Sequence, residues 1–193
     1  MTLDRESSIT LLDDKSLDIL HVKAIYDTYV LDKEIVGLVA MNLSLRTSVY
    51  ERDKEYSQTM VELLGAIATN PIDMSARWAV AKNPHTPIEV LIILSKDSVN
   101  LVRALVATNP STPPKILEQF FNDEKIVRDA LSANSNTPLK VLELFVHDSD
   151  KMVRMRLAEN SSVSEKILHE LSNDNDENVV LASKSMLKKY NER

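Results

Sequence analysis

A five-residue phrase that recurs four times constrains the fold more than any other feature of this sequence. Its copies begin at Asn83, Asn109, Asn134 and Asn160, which lie 26, 25 and 26 residues apart. The first two copies read Asn-Pro-x-Thr-Pro, the third Asn-Ser-Asn-Thr-Pro, and the last fades to Asn-Ser-Ser-Val-Ser. A fixed period of this length is typical of a stacked array of small repeats.

The phrase joins a helix stop to a helix start. Asparagine tolerates the left-handed conformation that follows many helix ends, and a proline after it blocks continuation. Threonine can then accept hydrogen bonds from the free amides of the next helix, whose first position suits the second proline. Because the 193 residues include only two glycines, we expect asparagine to replace glycine at these helix ends. Such a short turn favours antiparallel neighbouring helices.

Between the phrases, apolar residues recur in register on two helices per unit. Offsets of one and four residues place the first-helix columns on one stripe, and no single helix pair could bury them, so stacked neighbours must complete the core. The first-helix columns are Val90, Ile116, Val141 and Ile167, then Leu91, Leu117, Leu142 and Leu168, then Leu94, Phe120, Phe145 and Leu171. The second-helix columns are Val102, Val127, Val153 and Val179, then Val80, Val106, Leu131 and Leu157, then the small Ala81, Ala107, Ser132 and Ala158.

Two charged columns accompany the apolar ones. They admit two interpretations: a row of arginines that binds anions, or a structural ladder in which each guanidinium pairs with a carboxylate of its own or a neighbouring unit. Equal numbers of aspartates and arginines in register favour the ladder. In the last unit Val180 stands where the other units have arginine. The columns are Asp97, Asp123, Asp148 and Asp174, and Arg103, Arg128 and Arg154, with Arg77 one unit earlier.

The first part of the chain lacks this regular period. We expect irregular N-terminal helices over residues 1–60 that cap the array, and a helical-repeat solenoid with a 25–26 residue period over residues 61–193. The N-terminal segments predicted are a frayed 1–13, a helix over 15–30, a second from Asp32 that closes at Asn42, and a long polar helix over 46–68.

The unit as a whole resembles the leucine-rich repeat variant family. Its pattern is Pro-x-x-Val-Leu-x-x-Leu, then Asp, Val-Arg, Ala and Asn-Pro-x-Thr-Pro, and it is also similar to a short HEAT repeat, which shares the Asp and Val-Arg signature. The resemblance covers residues 61–183 and implies an α-solenoid with a binding role. Some family members carry a cysteine-ligated iron–sulfur cluster, which this cysteine-free chain cannot share. Period and resemblance together predict an all-α, right-handed α-α superhelix of about six helical repeats.

Composition narrows the classes of function. The absence of cysteine excludes disulfides and thiolate metal sites. No stretch approaches the roughly 20 apolar residues of a membrane span, and the polar N-terminus does not resemble a signal peptide, so we expect a cytoplasmic protein without a membrane partner. A net charge of −6 leaves no basic excess for a phosphate backbone and disfavours nucleic acid.

Catalytic and metal-binding patterns are missing from the sequence. There is no glycine-rich phosphate loop, no G-x-S-x-G and no H-E-x-x-H, so we expect neither an enzyme nor a cofactor. The histidines lie apart from other candidate ligands, which argues against a metal site. They are His21, His85, His147 and His169.

Trp78 is the only tryptophan, in a second-helix column that points away from the core valines. Two interpretations stay open: an exposed binding anchor, or a ring covered by the helix over 46–68, whose Tyr50 and Tyr56 we interpret as ordinary packing. The candidate binding face varies from unit to unit, as a surface shaped for one partner would, and neutral drift would look the same. It comprises Trp78, Lys82, Asp129, Met155 and Glu159, with Ala104, Thr108, Ala133 and Leu181.

We therefore expect a non-enzymatic protein–protein interaction module, a helical-repeat scaffold that binds a protein partner along the second-helix face. The alternative is a HEAT-like nucleic-acid-binding or DNA-repair-type protein, which needs a basic concave face. Lys82, Arg156 and Lys184 are the bases available there, interrupted by Asp129 and Glu159. An enzyme accessory factor would need a deep pocket that the sequence does not indicate.

Overall fold

A computed structural model describes residues 4–46 and 57–192. Across these ranges the chain forms thirteen α-helices, one short 3-10 helix (Glu118–Phe120) and no strand, which confirms the predicted all-α class. The α-helices are α1 (Arg5–Leu12), α2 (Ile19–Thr28), α3 (Lys33–Arg46), α4 (Gln58–Thr69), α5 (Met74–Lys82), α6 (Ile88–Leu94), α7 (Asn100–Thr108), α8 (Pro114–Leu117), α9 (Lys125–Ala133), α10 (Leu139–Phe145), α11 (Lys151–Glu159), α12 (Glu165–Leu171) and α13 (Glu177–Asn191).

The chain packs as two compact units, Met1–Val102 and Arg103–Arg193. In the first unit, α3 packs against α5, and α4 packs against both α5 and α6. In the second, α11 packs against α9 on one side and α13 on the other, while α12 packs against α13. In the second unit the second helices α9, α11 and α13 therefore pack in succession, which is the packing of a helical-repeat solenoid.

The buried core consists of the predicted columns. All members of the first-helix columns are buried, and the second-helix column of Val102, Val127, Val153 and Val179 has no exposed surface at all. The small residues beside them, among them Ala107 and Ser132, are also completely buried, so neighbouring helices approach closely there. The connecting turns have the expected length: α9 ends at Ala133 and α10 begins at Leu139.

The asparagine that opens each turn is not left-handed, and that prediction was wrong. Asn134 has φ −78° and ψ 122°, an extended conformation, and Asn160 is nearly identical at −73° and 120°. The side chain shapes the turn instead. Asn134 Oδ1 accepts a hydrogen bond from the amide of Asn136 at 2.8 Å, an arrangement in which a short polar side chain mimics a backbone turn.

The threonine of the phrase also acts differently from the prediction. Thr137 Oγ1 donates to the carbonyl of Leu131 at 2.7 Å, so it binds a carbonyl at the end of the preceding helix instead of amides of the next. Thr86 and Thr112 make the same bond. Pro138 was predicted to be the first helical residue but is the N-cap, without a side-chain bond, one position before the first helical residue Leu139.

The N-terminal segment is more regular than the sequence indicated. Residues 5–12 form α1, with Asp4 as its N-cap and Leu12 buried, so the prediction of a frayed start was wrong. Helix α3 does not close at Asn42 but continues to Arg46. The Asn42 side chain is buried and donates to the carbonyl of Leu12 at 2.7 Å, which ties α3 to the end of α1.

Helix α4 occupies the second half of the long polar helix predicted over 46–68. Its predicted apolar face, from Met60 to Ile67, is completely or almost completely buried. Tyr50 and Tyr56 lie outside the described residues. No helix within residues 4–46 and 57–192 has both the length and the hydropathy required to cross a bilayer.

Candidate interaction surface

A ladder of arginine–aspartate pairs connects the repeats. In each pair the arginine is the fourth residue of a second helix, and the aspartate, 20 residues further on, lies in the turn inside the next repeat. The side chains are 6% to 21% exposed, so water screens these charges poorly. The Nε–Oδ2 distances are 2.7 Å for Arg77–Asp97, 2.8 Å for Arg103–Asp123, 2.7 Å for Arg128–Asp148 and 2.6 Å for Arg154–Asp174.

Further hydrogen bonds fix both partners of a rung. Asp148 Oδ1 accepts from the amide of Asp150 at 2.8 Å, and Arg128 Nη1 donates to the carbonyl of Asp123 at 2.9 Å. Burial raises the pKa of the Asp148 carboxyl, but the bonds from Arg128 and from the Asp150 amide outweigh it and hold that pKa below its usual range. The guanidinium groups are thus engaged within the protein, which argues against the row of anion-binding arginines.

In the second unit, the turn asparagines Asn134 and Asn160 each join their repeat to the one before it. Asn134 Nδ2 donates to the carbonyls of Ala107 at 2.6 Å and Asn109 at 3.2 Å. Asn160 Nδ2 binds the carbonyls of Ser132 and Asn134 in the same way, at 2.8 and 3.2 Å. Sequence reasoning missed this role. The available signal was that all four copies of the phrase keep asparagine while the proline after it changes to serine.

An open, largely apolar groove of about 980 Å³ lies between α3 and α5 in the first unit. Three of its apolar side chains are prominently exposed: Met41 by 56%, Leu45 by 39% and Trp78 by 38%. Leu38 and Ala79 complete the apolar lining. Trp78 therefore lies partly exposed in a groove whose facing wall is α3, and its role as a binding anchor stays a prediction.

A glycine allows the two walls to approach at one end of the groove. A Cβ atom on Gly37 would lie 3.2 Å from Asp73 Oδ2, tighter than most such contacts. Asp73 is buried and caps α5 by accepting from the amides of Ser75 at 3.1 Å and Ala76 at 3.2 Å. The absent side chain on α3 thus makes room for the capping carboxylate of α5.

The charged residues of the groove differ in whether a bond within the protein already engages them. Glu34 accepts from Arg5 at 2.5 Å, and Asp73 is held in its cap. Lys82 Nζ lies 5.3 Å from the centroid of the Trp78 ring, a cation–π contact. Within the described ranges, neither Lys33 nor Lys82 forms an ion pair with a carboxylate. The charge that the groove offers to a partner is therefore positive.

The second-unit members of the predicted face form a mixed-charge cluster. Asp129 is half-buried, its Oδ1 has no hydrogen-bond partner within the described part of the chain, and burial raises its pKa. Arg156 Nε lies 3.8 Å from that oxygen, and its Nη1 lies 3.1 Å from Glu159. Met155 is half-buried between these charges. This cluster is not the basic surface that nucleic acid requires.

The remaining residues of the predicted binding face differ in how far they are buried. Ala104 is only 8% exposed, so its assignment to the outward side was wrong: a small residue at this position fits against the neighbouring packing. Thr108, Ala133 and Leu181 are exposed as predicted. Among the residues that the structure describes, no three potential ligands come together as a metal site.

Comparison with solved structures shows a likeness to a repeat protein. A solved structure described as a leucine-rich repeat variant with a novel repetitive protein structural motif is similar to this chain at 22% sequence identity and a TM-score of 0.46. The match covers 93% of this chain and 80% of the other. No family model and no curated protein matches the sequence.

Proposed function

We propose that this chain is a non-enzymatic protein-interaction module, a helical-repeat scaffold that binds a protein partner through its second-helix surfaces. The observation that carries the proposal is the groove between α3 and α5. It presents the only tryptophan of the chain, partly exposed, beside Met41 and Leu45. Tryptophan is enriched among the residues that dominate binding energy, and exposed apolar patches mark interaction sites.

The scaffold around this groove supports the same function. Asp73 fixes the start of α5, and Asn70 anchors the preceding turn by donating to the carbonyl of Val30 at 3.0 Å. Arg77, one residue before the tryptophan, forms a ladder rung with Asp97. A surface held in place by such bonds loses little conformational freedom on binding, so more of the contact energy appears as affinity.

The charges support a protein partner over nucleic acid. A duplex would need a continuous basic stripe. In the second unit Arg156 is paired with Glu159 and faces Asp129, and the chain as a whole carries a net charge of −6.

An affinity pull-down from the source cell with the full chain, followed by titration of the recovered protein, tests the proposal. Trp78→Ala should weaken binding by about 2 kcal/mol or more, roughly 30-fold. Leu144→Ala is the matched control, since Leu144 is an apolar side chain of the first-helix α10 with 54% exposure. Equal losses for the two variants, or unchanged binding by Trp78→Ala, would contradict the proposal.

A further inference from the structure

The groove between α3 and α5 has a definite length. Helix α3 contributes lining residues from Lys33 to Leu45, a distance of about 18 Å along the helix axis. Gly37, near the start of α3, contacts Asp73 at the start of α5, and Leu45 lines the groove together with Pro84, just after α5. The two walls therefore run in the same direction, and the groove follows them.

Its two unneutralised charges stand toward opposite ends. Lys33 is the first residue of α3 and Lys82 is the last residue of α5. Between them the lining is largely apolar. The two acids that border it are bound by Arg5 and by the α5 amides. An occupant that complements this pattern is apolar along its middle and acidic toward both ends.

We propose that the groove binds a short amphipathic α-helix of a partner protein, with apolar residues on one face and carboxylates near both ends of that face. This inference rests on the proposed function of the same groove. A helix of about 12 residues matches the length of the walls, and anchors spaced i, i+3, i+4 and i+7 would meet the apolar lining.

Two other occupants fit the groove less well. An extended peptide binds mainly through main-chain hydrogen bonds to a sheet edge, whereas both walls here are helices whose backbone groups bond within the helix. A second copy that placed groove on groove about a twofold axis would bring Lys33 and Lys82 of the two copies together, and like charges in one interface disfavour it.

Selection from a displayed peptide library tests the proposal. The library encodes helical peptides of about 12 residues, apolar at i, i+3, i+4 and i+7 and random elsewhere, without tryptophan. It is selected on the full chain and counter-selected on Met41→Asp, which places a charge in the apolar lining at a residue with 56% exposure. Leu45→Glu serves as a second counter-selection variant if Met41→Asp loses its helical circular dichroism.

We expect the enriched peptides to carry aspartate or glutamate near both ends and to change the fluorescence of Trp78, the only tryptophan. Lys33→Glu and Lys82→Glu should each weaken binding at least about fivefold. Lys188→Glu, a matched change at an exposed lysine of α13, should leave the affinity unchanged.

Three results would overturn the inference: enrichment of lysine and arginine near the peptide ends, no enrichment beyond the counter-selection variants, or a dimer that Met41→Asp abolishes. The pull-down with Trp78→Ala tests the proposed function independently of the peptide selection. If the natural partner still requires Trp78 while acidic helices do not bind, the groove is an interaction site for a partner of different chemistry.

Discussion

Arg154 Nε lies 2.6 Å from Oδ2 of Asp174, 20 residues further along the chain. The pair connects the second helix of one repeat to the internal turn of the next, and its Nη2–Oδ1 contact of 3.0 Å completes a fork. Because the same relation recurs from Arg77 onward, each rung stabilises one interface between repeats. The rungs are therefore individually testable.

Arg128→Ala should destabilise the protein far more than Arg156→Ala. The first change leaves Asp148, whose side chain is 7% exposed, without its partner, at a cost of about 3 kcal/mol in the free energy of unfolding. Arg156 is 45% exposed, so its removal should cost less than about 1 kcal/mol. Urea denaturation with circular dichroism detection measures both, and equal midpoints would refute the structural role of the ladder.

Asn134→Asp should separate the two roles of the turn asparagine. The substitution keeps the oxygen that accepts from the Asn136 amide but replaces the Nδ2 donor with an oxygen that faces the carbonyls of Ala107 and Asn109. A buried hydrogen-bond acceptor opposite two other acceptors should lower the free energy of unfolding by about 3 kcal/mol. The loss should be smaller for Asn136→Asp, because Asn136 lies on the exposed side of the turn. Urea unfolding tests this, and a neutral Asn134→Asp would show that the inter-repeat bonds contribute little.

Asp129→Asn should stabilise the protein at neutral pH. Burial raises the pKa of this carboxyl in the folded state, so folding favours its protonated form. Its ionisation therefore reduces stability as the pH rises above the ordinary value of 3.8 toward the folded-state pKa, and the full penalty is present above that pKa. Removing the charge should add up to about 1 kcal/mol at pH 7.

The advantage of Asp129→Asn should disappear below the ordinary carboxyl pKa, where Asp129 is protonated in both the folded and the unfolded state. Thermal unfolding at several pH values checks this. Glu143→Gln, at an exposed position of α10, is the control and should show no such pattern. A stabilisation that does not change with pH would point to packing instead of charge.

Deletion of residues 110–134 should leave a folded, somewhat less stable helical protein. The deletion removes one whole repeat and joins Asn109 to Ser135, which restores the turn phrase. It also brings Arg103 into register with Asp148, and stacked repeats tolerate the loss of one unit. Circular dichroism should show retained helix, whereas deletion of residues 110–127, which breaks the register, should abolish it. Equal disorder in both deletions would contradict the register.

Trp78→Ala should leave the fold intact. A ring with 38% exposure contributes less to the core than the fully buried Phe145 on α10. We expect a stability loss of less than about 1.5 kcal/mol for Trp78→Ala and about 3 kcal/mol or more for Phe145→Ala, because only the latter leaves a closed cavity. Urea midpoints compare them, and unfolding of Trp78→Ala would place the ring in the core.

Much of the fold follows from the sequence because every regular repeat solves the same packing problem. A column such as Val102, Val127, Val153 and Val179 stays apolar in each unit, so one sequence contains several independent examples of the same buried position. The five-residue turns and the second-helix contacts follow from the period in the same way. The sequence of the periodic part therefore predicts which of its residues form the core.

The turn bonds and the groove did not follow from the sequence, for different reasons. Local turn chemistry alone explains an asparagine at a helix end. The carbonyls that Asn134 binds belong to the preceding repeat, so the sequence of its own unit does not indicate them. The groove depends on α3, which lies in the part of the chain without a regular period. The close approach of Gly37 to Asp73, where a Cβ atom would lie 3.2 Å from the Asp73 carboxylate, belongs to no repeated column of the sequence.

The short separation along the chain between bonded residues also affects how quickly the second unit folds. Its ladder bonds join residues 20 apart, and its turn asparagines reach carbonyls 25 to 28 residues back. Chain closure over such similar distances costs nearly the same entropy at each step. Contacts that close over short distances along the chain favour faster folding than contacts between remote segments. Added repeats should therefore lengthen the chain without a matching rise in the barrier to folding.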